Sequence, residues 1–592
     1  MGPPREPSRV TWRTLFVAVA VSAAVTAALG RSGAEASPDP RPDPRPNVLV
    51  VISDDQTLAS MQFMPKVLRR IGERGATFRH NLTNWPLCCP SRSTYYTGQY
   101  AVNHGVRGNN PPGGYAKFKE LHATSNLATW MRDGGYLTGH IGKYLNGYPL
   151  DSDLTEVPPG WDEWYATAKK GQKVYKYELN ENGALVPYGA EVTDFKGDVM
   201  TAKAVDFISR RAPEAQPFFL SVSYTAPHSG GPNPSPQPPL DCQGSAKPAP
   251  RHAAALDTEP LPQPPSFNEA DVTDKPAAIQ ALELLGEQEV ADLKRQYRCR
   301  MESLLHVDEG VSQMLDALAA AAELKNTIVI YTSDNGYLLG EHRIRLGKNR
   351  PYEEALRVPL LIRGPGIPKG VTVRELAINA DLAPTILDAA DTSAGLVMDG
   401  STLLPVAAEP NVQRGRELLI EKGAVNNEGE PDDPAGFVGI RNRAYKYVEH
   451  GTGEVELYDL RSDPYEETSL HAEPAYDEIE AALAARLADL RECAGESCRT
   501  WPELALELDY DKGKGGCARR PVTARVTGPD SGGLELVAFE LDGVDIRDRT
   551  EAPFSTRVRY RDIRRNRDSE VSATAELLDG RVVTRFERVR RC

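Results

Sequence analysis

Two adjacent cysteines open the run Cys88-Cys89-Pro90-Ser91-Arg92, and Thr97-Gly98 follows after four more residues. A disulfide between chain neighbours strains the peptide that joins them, so this pair asks for a chemical role at the thiol. Two oxygen-rich pairs, Asp54-Asp55 and Asp334-Asn335, each stand directly after an apolar run. Singly, such a pair serves a turn or a helix cap. Together, hard oxygen donors suit a hard divalent cation over zinc or copper.

The elements that must position these groups share one pattern. Residues 47–52 are a continuous apolar run, the mark of a parallel strand buried on both faces, and β-rich runs recur at 217–222 and 327–332. Helical stretches at 125–132, 200–211 and 289–321 fall between them. Strands alternating with helices predict an α/β fold with a mostly parallel central sheet, and ligands gather at the carboxyl ends of such strands. Both acidic pairs lie there.

Residues 227–266, rich in Pro, Gln and Ala, read as a long surface excursion of this domain. After about residue 410, short strands at 417–421, 437–441 and 455–460 and a helix at 476–491 predict a small antiparallel subdomain on the main sheet. In the last 76 residues, Val522, Ala524 and Val526 alternate, and Asp542-Gly543 and Asp579-Gly580 are turn signals. They predict a separate β-sandwich, which resembles bacterial immunoglobulin-like modules through 537–543 and Ala552-Pro553-Phe554. The expected organisation is an export signal at 1–36, a proline-rich extended tether at 37–46, the large domain at 47–410, its C-terminal subdomain at 411–498, a linker at 499–516 and the sandwich at 517–592.

The chain has 592 residues, 40% apolar and 26% charged, which excludes collagen, coiled coil and wholesale disorder. Its 69 Lys and Arg face 83 Asp and Glu, a net charge of -14 that argues against a nucleic acid partner. An anionic substrate therefore needs a local cationic pocket. Arg5, Arg9 and Arg13 precede the apolar run 15–29, and Ala34-Glu35-Ala36 offers a cleavage site, so the mature protein is expected outside the cytoplasm and free of the membrane. In that oxidising setting the separated cysteines are expected to pair as 493 with 498, 517 with 592 and 242 with 299, leaving Cys88 and Cys89 over.

The Cys88 run matches C-x-P-S-R-x-x-x-x-T-G and resembles the signature of the formylglycine-dependent sulfatases, whose fold is alkaline-phosphatase-like. The resemblance implies that Cys88 is oxidised to formylglycine by a formylglycine-generating enzyme. It implies a calcium site of Asp54, Asp55, Asp334, Asn335 and residue 88, and a sulfate pocket of Arg92, Lys143 in Gly142-Lys143-Tyr144, His228 in Ala226-Pro227-His228, and Lys348 in Gly347-Lys348. Tyr352-Glu353, Leu457-Tyr458-Asp459-Leu460 and Asp463-Pro464 fit the same family. Leu145-Asn146 follows Lys143 where many sulfatases have a histidine two residues on, a variant that is similar to the glucosamine 6-sulfatase branch. Leu338 likewise stands where relatives often have a histidine, and nearby His342 is assigned no role.

The implied reaction is hydrolysis of a sulfate ester, of a sulfated sugar, a glycan or an aryl sulfate. The hydrated aldehyde attacks sulfur with one hydroxyl and expels sulfate with the other. Lys143 and Lys348 clamp the sulfate, and His228, alone or with Lys348, protonates the leaving oxygen. A phosphonate or phosphate ester hydrolase on the same fold is the rival enzyme, and a catalytically silent sulfated-glycan binding protein the rival of another class.

Overall fold

The structure is a computed structural model that describes residues 43–168, 173–229, 242, 244–423, 436–565 and 567–592. The expected export signal and the first part of the tether lie outside the described residues. Five strands make the centre of a ten-stranded sheet: β1 (Asn47–Ser53), β2 (Leu137–Gly142), β3 (Phe218–Ser223), β4 (Thr327–Ser333) and β5 (Leu360–Arg363), in the order β5-β4-β1-β3-β2. The first four are parallel to one another and β5 runs antiparallel to β4.

Alternation along β1 explains its unbroken apolar run, because successive side chains point to opposite faces and both faces are covered. Val48, Val50 and Ile52 join one core with Tyr95 and Tyr96 of helix α1 (Cys88–Thr97). Leu49 and Val51 join the other, beneath α2 (Lys196–Arg211) and α3 (Glu287–Ala320). Every residue of β1 is buried.

The C-terminal subdomain is the meander β6 (Leu418–Lys422), β7 (Phe437–Arg441), β8 (Tyr445–His450) and β9 (Val455–Asp459), covered by α4 (Asp477–Arg491). Buried charges join it to the main sheet. Arg416 holds Asp381 in a two-pronged pair at 2.5 and 2.6 Å, and Lys446 donates to the Pro351 carbonyl at 2.6 Å.

The last module has two antiparallel sheets over one apolar core. One contains β10 (Ala505–Asp509), β11 (Val522–Thr527) and β14 (Ser555–Val558) in the order β10-β11-β14. The other contains β12 (Leu534–Leu541), β13 (Val544–Arg549), β15 (Ser569–Leu577) and β16 (Val582–Val589) in the order β13-β12-β15-β16. The stretch expected as a linker at 499–516 thus carries a strand, since Leu506 and Leu508 pair with Val526 and Ala524 and turn their side chains into the sandwich core.

The end of the expected tether is also fixed. Arg45 donates to the Gly134 carbonyl at 2.8 Å, and the Asp43 amide to the Ala215 carbonyl at 3.1 Å. The three expected disulfides, Cys242–Cys299, Cys493–Cys498 and Cys517–Cys592, are present, with Cys88 and Cys89 free. The first ties the 227–266 excursion to α3, and Arg251 of that excursion pairs with Asp198 and Glu309 on α2 and α3. Among the described residues no helix is long and apolar enough to cross a membrane.

The sandwich is docked on the subdomain. Asn442 Nδ2 donates to the Asp579 carbonyl at 2.6 Å, the Thr584 amide to the Gln413 carbonyl at 2.7 Å, and the Gly580 turn lies so close to Ala444 and Tyr445 that a Cβ there would meet them at 2.6 Å. A chain ended at residue 498 is therefore expected to melt about 1 °C below the full chain for each kcal/mol of docking lost, the shift that the unfolding entropy of a domain of roughly 450 residues allows. Equal midpoints in a thermal melt would show that the module contributes nothing to the rest.

Candidate active site

Register brings the two oxygen-rich pairs together. β1 and β4 are adjacent and parallel, Ser53 lies opposite Ser333, and so Asp54-Asp55 and Asp334-Asn335 leave the sheet side by side. The Asp55 amide donates to Asp334 Oδ1 at 3.1 Å, and Asn335 Nδ2 to Asp55 Oδ1 at 2.8 Å. All four side chains are buried.

Cys88 is the first residue of α1, and its Sγ lies 3.6 Å from Asp54 Oδ1. Arg92, one helical turn on, falls on the same face. Its Nε donates to Asp334 Oδ2 at 2.8 Å and its Nη1 to Ser223 Oγ at 2.5 Å, while Nη2 stands 3.8 Å from Asp54 Oδ2. Ser91 donates to the Asp334 carbonyl, which fastens α1 to the end of β4.

Lys143 follows β2 and reaches Asp54 Oδ2 at 2.5 Å. Gly142 precedes it at φ 105, and a Cβ there would lie 2.2 Å from the Ser223 carbonyl, so only glycine lets β2 leave the sheet at this point. Lys348 binds Asp55, and its Nζ stands 2.8 Å from Cys88 Sγ. His228, beyond β3, places Nε2 3.8 Å from Asp55 Oδ2, with Nδ1 2.9 Å from the Ser229 carbonyl. Nδ1 thus carries the proton in neutral imidazole and Nε2 faces the cluster. Ligand atoms of Asp54, Asp55, Cys88 and His228 all lie within 4.8 Å of one another.

Burial and charge set the protonation states. Burial favours neutral carboxyls at Asp54 and Asp55, but the cations outweigh it, chiefly Lys143 and His228 for Asp54 and Lys348 and His228 for Asp55, and both are held below the usual carboxylate range. Burial and the neighbouring Asp54 push Asp334 up. Burial pulls His228 down against the two aspartates, and pushes the Cys88 thiol up to about 12 despite the nearby lysines.

The donor set fits a hard divalent cation. Three buried carboxylates converge, and Asn335 Oδ1 is a buried acceptor with no hydrogen-bond partner among the described residues. The residues that sequence reasoning did not find act through these. Ser223 holds Arg92, Arg300 donates to the Asp55 carbonyl at 2.6 Å, and buried Lys196 lines a small cavity of about 20 Å³ with His228. Burial pulls the Lys196 ammonium down to about 7. Its only sequence signal is a lysine at a helix start.

Four residues outside this cluster are also placed. The Asn146 carbonyl accepts from the Tyr115 amide at 2.7 Å, and its Oδ1 is buried without a hydrogen-bond partner among the described residues. Leu338 is packed in an apolar cluster with Tyr352 and Tyr458. His342 stacks on Tyr352 and hydrogen-bonds Glu269 at 2.8 Å, in a different buried cluster from Cys88. Glu353 pairs with Arg441 at 3.3 Å and knits the main sheet to the subdomain.

A parallel sheet whose strand ends gather oxygen donors, buried cations and an enclosed thiol can hold an anionic ester, and the comparisons place the chain in a family. The family model described as Sulfatase matches residues 46–392, and that described as N-sulphoglucosamine sulphohydrolase, C-terminal, matches residues 340–493. The chain is 32% identical over 491 residues to the N-acetylglucosamine-6-sulfatase of Homo sapiens, covering 77% of this chain and 86% of that one. It is 35% identical over 370 residues to the extracellular sulfatase SULF-1 homolog of Drosophila melanogaster, covering 62% and 31%. It spans less than half the length of the extracellular sulfatases it matches. A protein solved with its substrate D-glucosamine-2-N,6-O-disulfate superposes with a TM-score of 0.63 at 22% identity, covering 77% of this chain and 98% of that one, which shows the fold. The chain belongs to the sulfatase family and has its alkaline-phosphatase-like fold.

In chain prepared without conversion of Cys88, the raised thiol pKa keeps the thiolate fraction small at pH 8. Iodoacetamide is expected to label Cys88 and Cys89 only after denaturation, read by peptide mass. Rapid labelling of the native chain would refute the burial argument.

Proposed function

We propose that the protein hydrolyses sulfate esters of sugars outside the cytoplasm, using formylglycine at position 88 and a bound calcium ion. The observation that carries this reading is the enclosure of Cys88 Sγ by Lys348 at 2.8 Å within the cluster of Asp54, Asp55 and His228, inside a family signature. Formylglycine, installed by a formylglycine-generating enzyme, supplies as its hydrate one hydroxyl to attack sulfur and a second to release sulfate. Asp54, Asp55, Asp334 and Asn335, with residue 88, would hold the cation, which supplies Lewis-acid polarisation and a template for the sulfate oxygens.

The chain's own residues do the rest. Lys143 and Lys348 now share their charge with Asp54 and Asp55, the oxygens a cation would also claim, which leaves the ammoniums for sulfate oxygens. Arg92 stays fixed by Asp334 and Ser223 and presents Nη2, which lacks a hydrogen-bond partner among the described residues. His228 Nε2 faces the cluster, held by the Nδ1 contact, and in the imidazolium form, which Asp55 and Asp54 favour against burial, it carries the proton that goes to the departing oxygen, alone or with Lys348. The sugar assignment is supported by relatives named N-acetylglucosamine-6-sulfatase, and the extracytoplasmic one by relatives named extracellular sulfatases. The two antiparallel sheets of the last module support an immunoglobulin-like reading of it.

Conversion at position 88 is expected to lower the mass of its peptide by about 18 Da, and Cys88→Ala to abolish desulfation of N-acetylglucosamine 6-sulfate. Wild-type turnover in that variant would defeat the proposal, and faster turnover of a matched aryl phosphate than of the aryl sulfate would favour the rival hydrolase. His228→Asn is expected to lower kcat about 10²–10⁴-fold on a sugar sulfate, and less on nitrophenyl sulfate, whose leaving group departs without a proton. Equal losses on both would remove His228 from that role.

Calcium binding has a readout apart from turnover. Calcium added to chelator-treated chain at about 100 times its Kd should stabilise it by about 2.7 kcal/mol in a thermal melt. The increment should vanish in Asp55→Asn, and no increment in the wild type would overturn the calcium assignment.

A further inference from the structure

The last module differs in charge from the body that carries it. Residues 517–592 contain 16 arginines, no lysine and 13 acidic residues, a net of +3 on a chain of net -14. Where the arginines sit follows from the strand order. β10 and β16 close one side of the sandwich, where Arg585 donates to the carbonyls of Leu504 and Pro502, and β16 is also the strand docked on Gln413 and Arg414. β13 and β14 are the edges of the two sheets on the opposite side.

Between those edges lies a cleft of about 820 Å³ lined by five arginines and three aspartates. Two of the aspartates are engaged locally, Asp562 with Arg559 at 2.7 Å and Asp542 with Arg564 at 3.1 Å. Arg549 donates to the Ser555 carbonyl at 2.9 Å and fixes the loop joining β13 to β14. Arg547 and Arg557, one on each edge, are exposed, and among the described residues neither has a carboxylate partner.

We infer that the β13/β14 cleft is a docking site for a sulfated polysaccharide chain, with Arg547 and Arg557 as its principal contacts. Guanidinium matches the planar pairs of oxygens that a sulfate ester presents, and is weakly enough hydrated to give up water for them. The cleft is on the side of the module turned from the docked strand, about three strand spacings or roughly 14 Å across the sheet. A polymer held in the cleft keeps its remaining sulfate esters near the chain, which a monosaccharide, having no second unit, cannot do. The second attachment raises the concentration of sulfate esters at the site without altering the chemical step. That consequence for turnover rests on the proposed sulfatase activity; binding by the cleft does not.

The test uses the full chain, the double variant Arg547→Gln/Arg557→Gln, and Val544→Glu, which adds a negative charge at an exposed residue of the cleft rim. Affinity electrophoresis through gels holding dextran sulfate, unsulfated dextran or DNA of matched charge reads binding alone. The wild type should be retarded by dextran sulfate, less as salt rises, and not by dextran. Both variants should bind roughly tenfold more weakly at an unchanged melting temperature. On a sulfated polysaccharide the variants should raise KM with kcat unchanged, and on nitrophenyl sulfate they should match the wild type. Equal retardation of wild type and both variants, or tighter retention by DNA than by dextran sulfate, would overturn the inference. Loss of retardation in the variants of a chain that desulfates nothing would leave the cleft standing and defeat the sulfatase reading instead.

Discussion

Three buried carboxylates at the carboxyl ends of two neighbouring strands are the constraint on which the rest of the site depends. With Ser53 opposite Ser333, Asp54, Asp55 and Asp334 are forced into one small volume away from water. Two like charges about 4 Å apart repel by about 4 kcal/mol at an effective dielectric near 20, so the arrangement stands only with opposite charge built in. Arg92, Lys143 and Lys348 bring that charge from three separate segments, and each contacts a different carboxylate of the set. The elements around the site can be understood as what those cations need: a helix that starts at residue 88, a glycine that lets β2 end at Lys143, and a loop that returns Lys348 to the thiol.

The same balance explains why the site is assembled before any ligand arrives. Each cation has a second anchor in the backbone or in a neighbouring side chain, as Arg92 has in Ser223 and the Lys143 amide in the Ser223 carbonyl at 2.9 Å. An anion entering this space exchanges one negative partner for another and demands little rearrangement. Neutral Cys88 fits that economy, because a thiolate would add a fourth negative charge where burial already disfavours it.

What the sequence made legible was what depends on short range. Cys88 and Arg92 are four residues apart, so one helix explains their shared face, and both acidic pairs follow runs whose apolarity marks strands covered on two sides. The strand at Ala505–Asp509 was hidden although Leu506 and Leu508 alternate, because acidic neighbours and the following Tyr510-Asp511-Lys512-Gly513 give it the look of a loop. Ser223 and Arg300 carry no local signal, and Lys196 only that of a lysine at a helix start, since their meaning comes from β3, α3 and α2 being laid against β1. His342, six residues before Lys348 and given no role on sequence, shows that proximity in sequence does not make a shared site. Its backbone turns through φ 50, and its ring is stacked on Tyr352 in a separate cluster.

The charge of the whole chain and the charge of its site point in opposite directions, and screening decides which matters. At physiological ionic strength, exposed charges more than about 8 Å from an incoming anion are largely screened, so a net charge of -14 spread over the surface gives only weak repulsion. The buried cations are screened much less, and an anion within reach of Nη2 of Arg92 meets them almost undiminished. Such a surface disfavours loose, nonspecific association of a sulfated polymer over most of its area. Association is then confined to the few places where cations exceed carboxylates, and a chain that is acidic overall can select anionic substrates by position instead of by total charge.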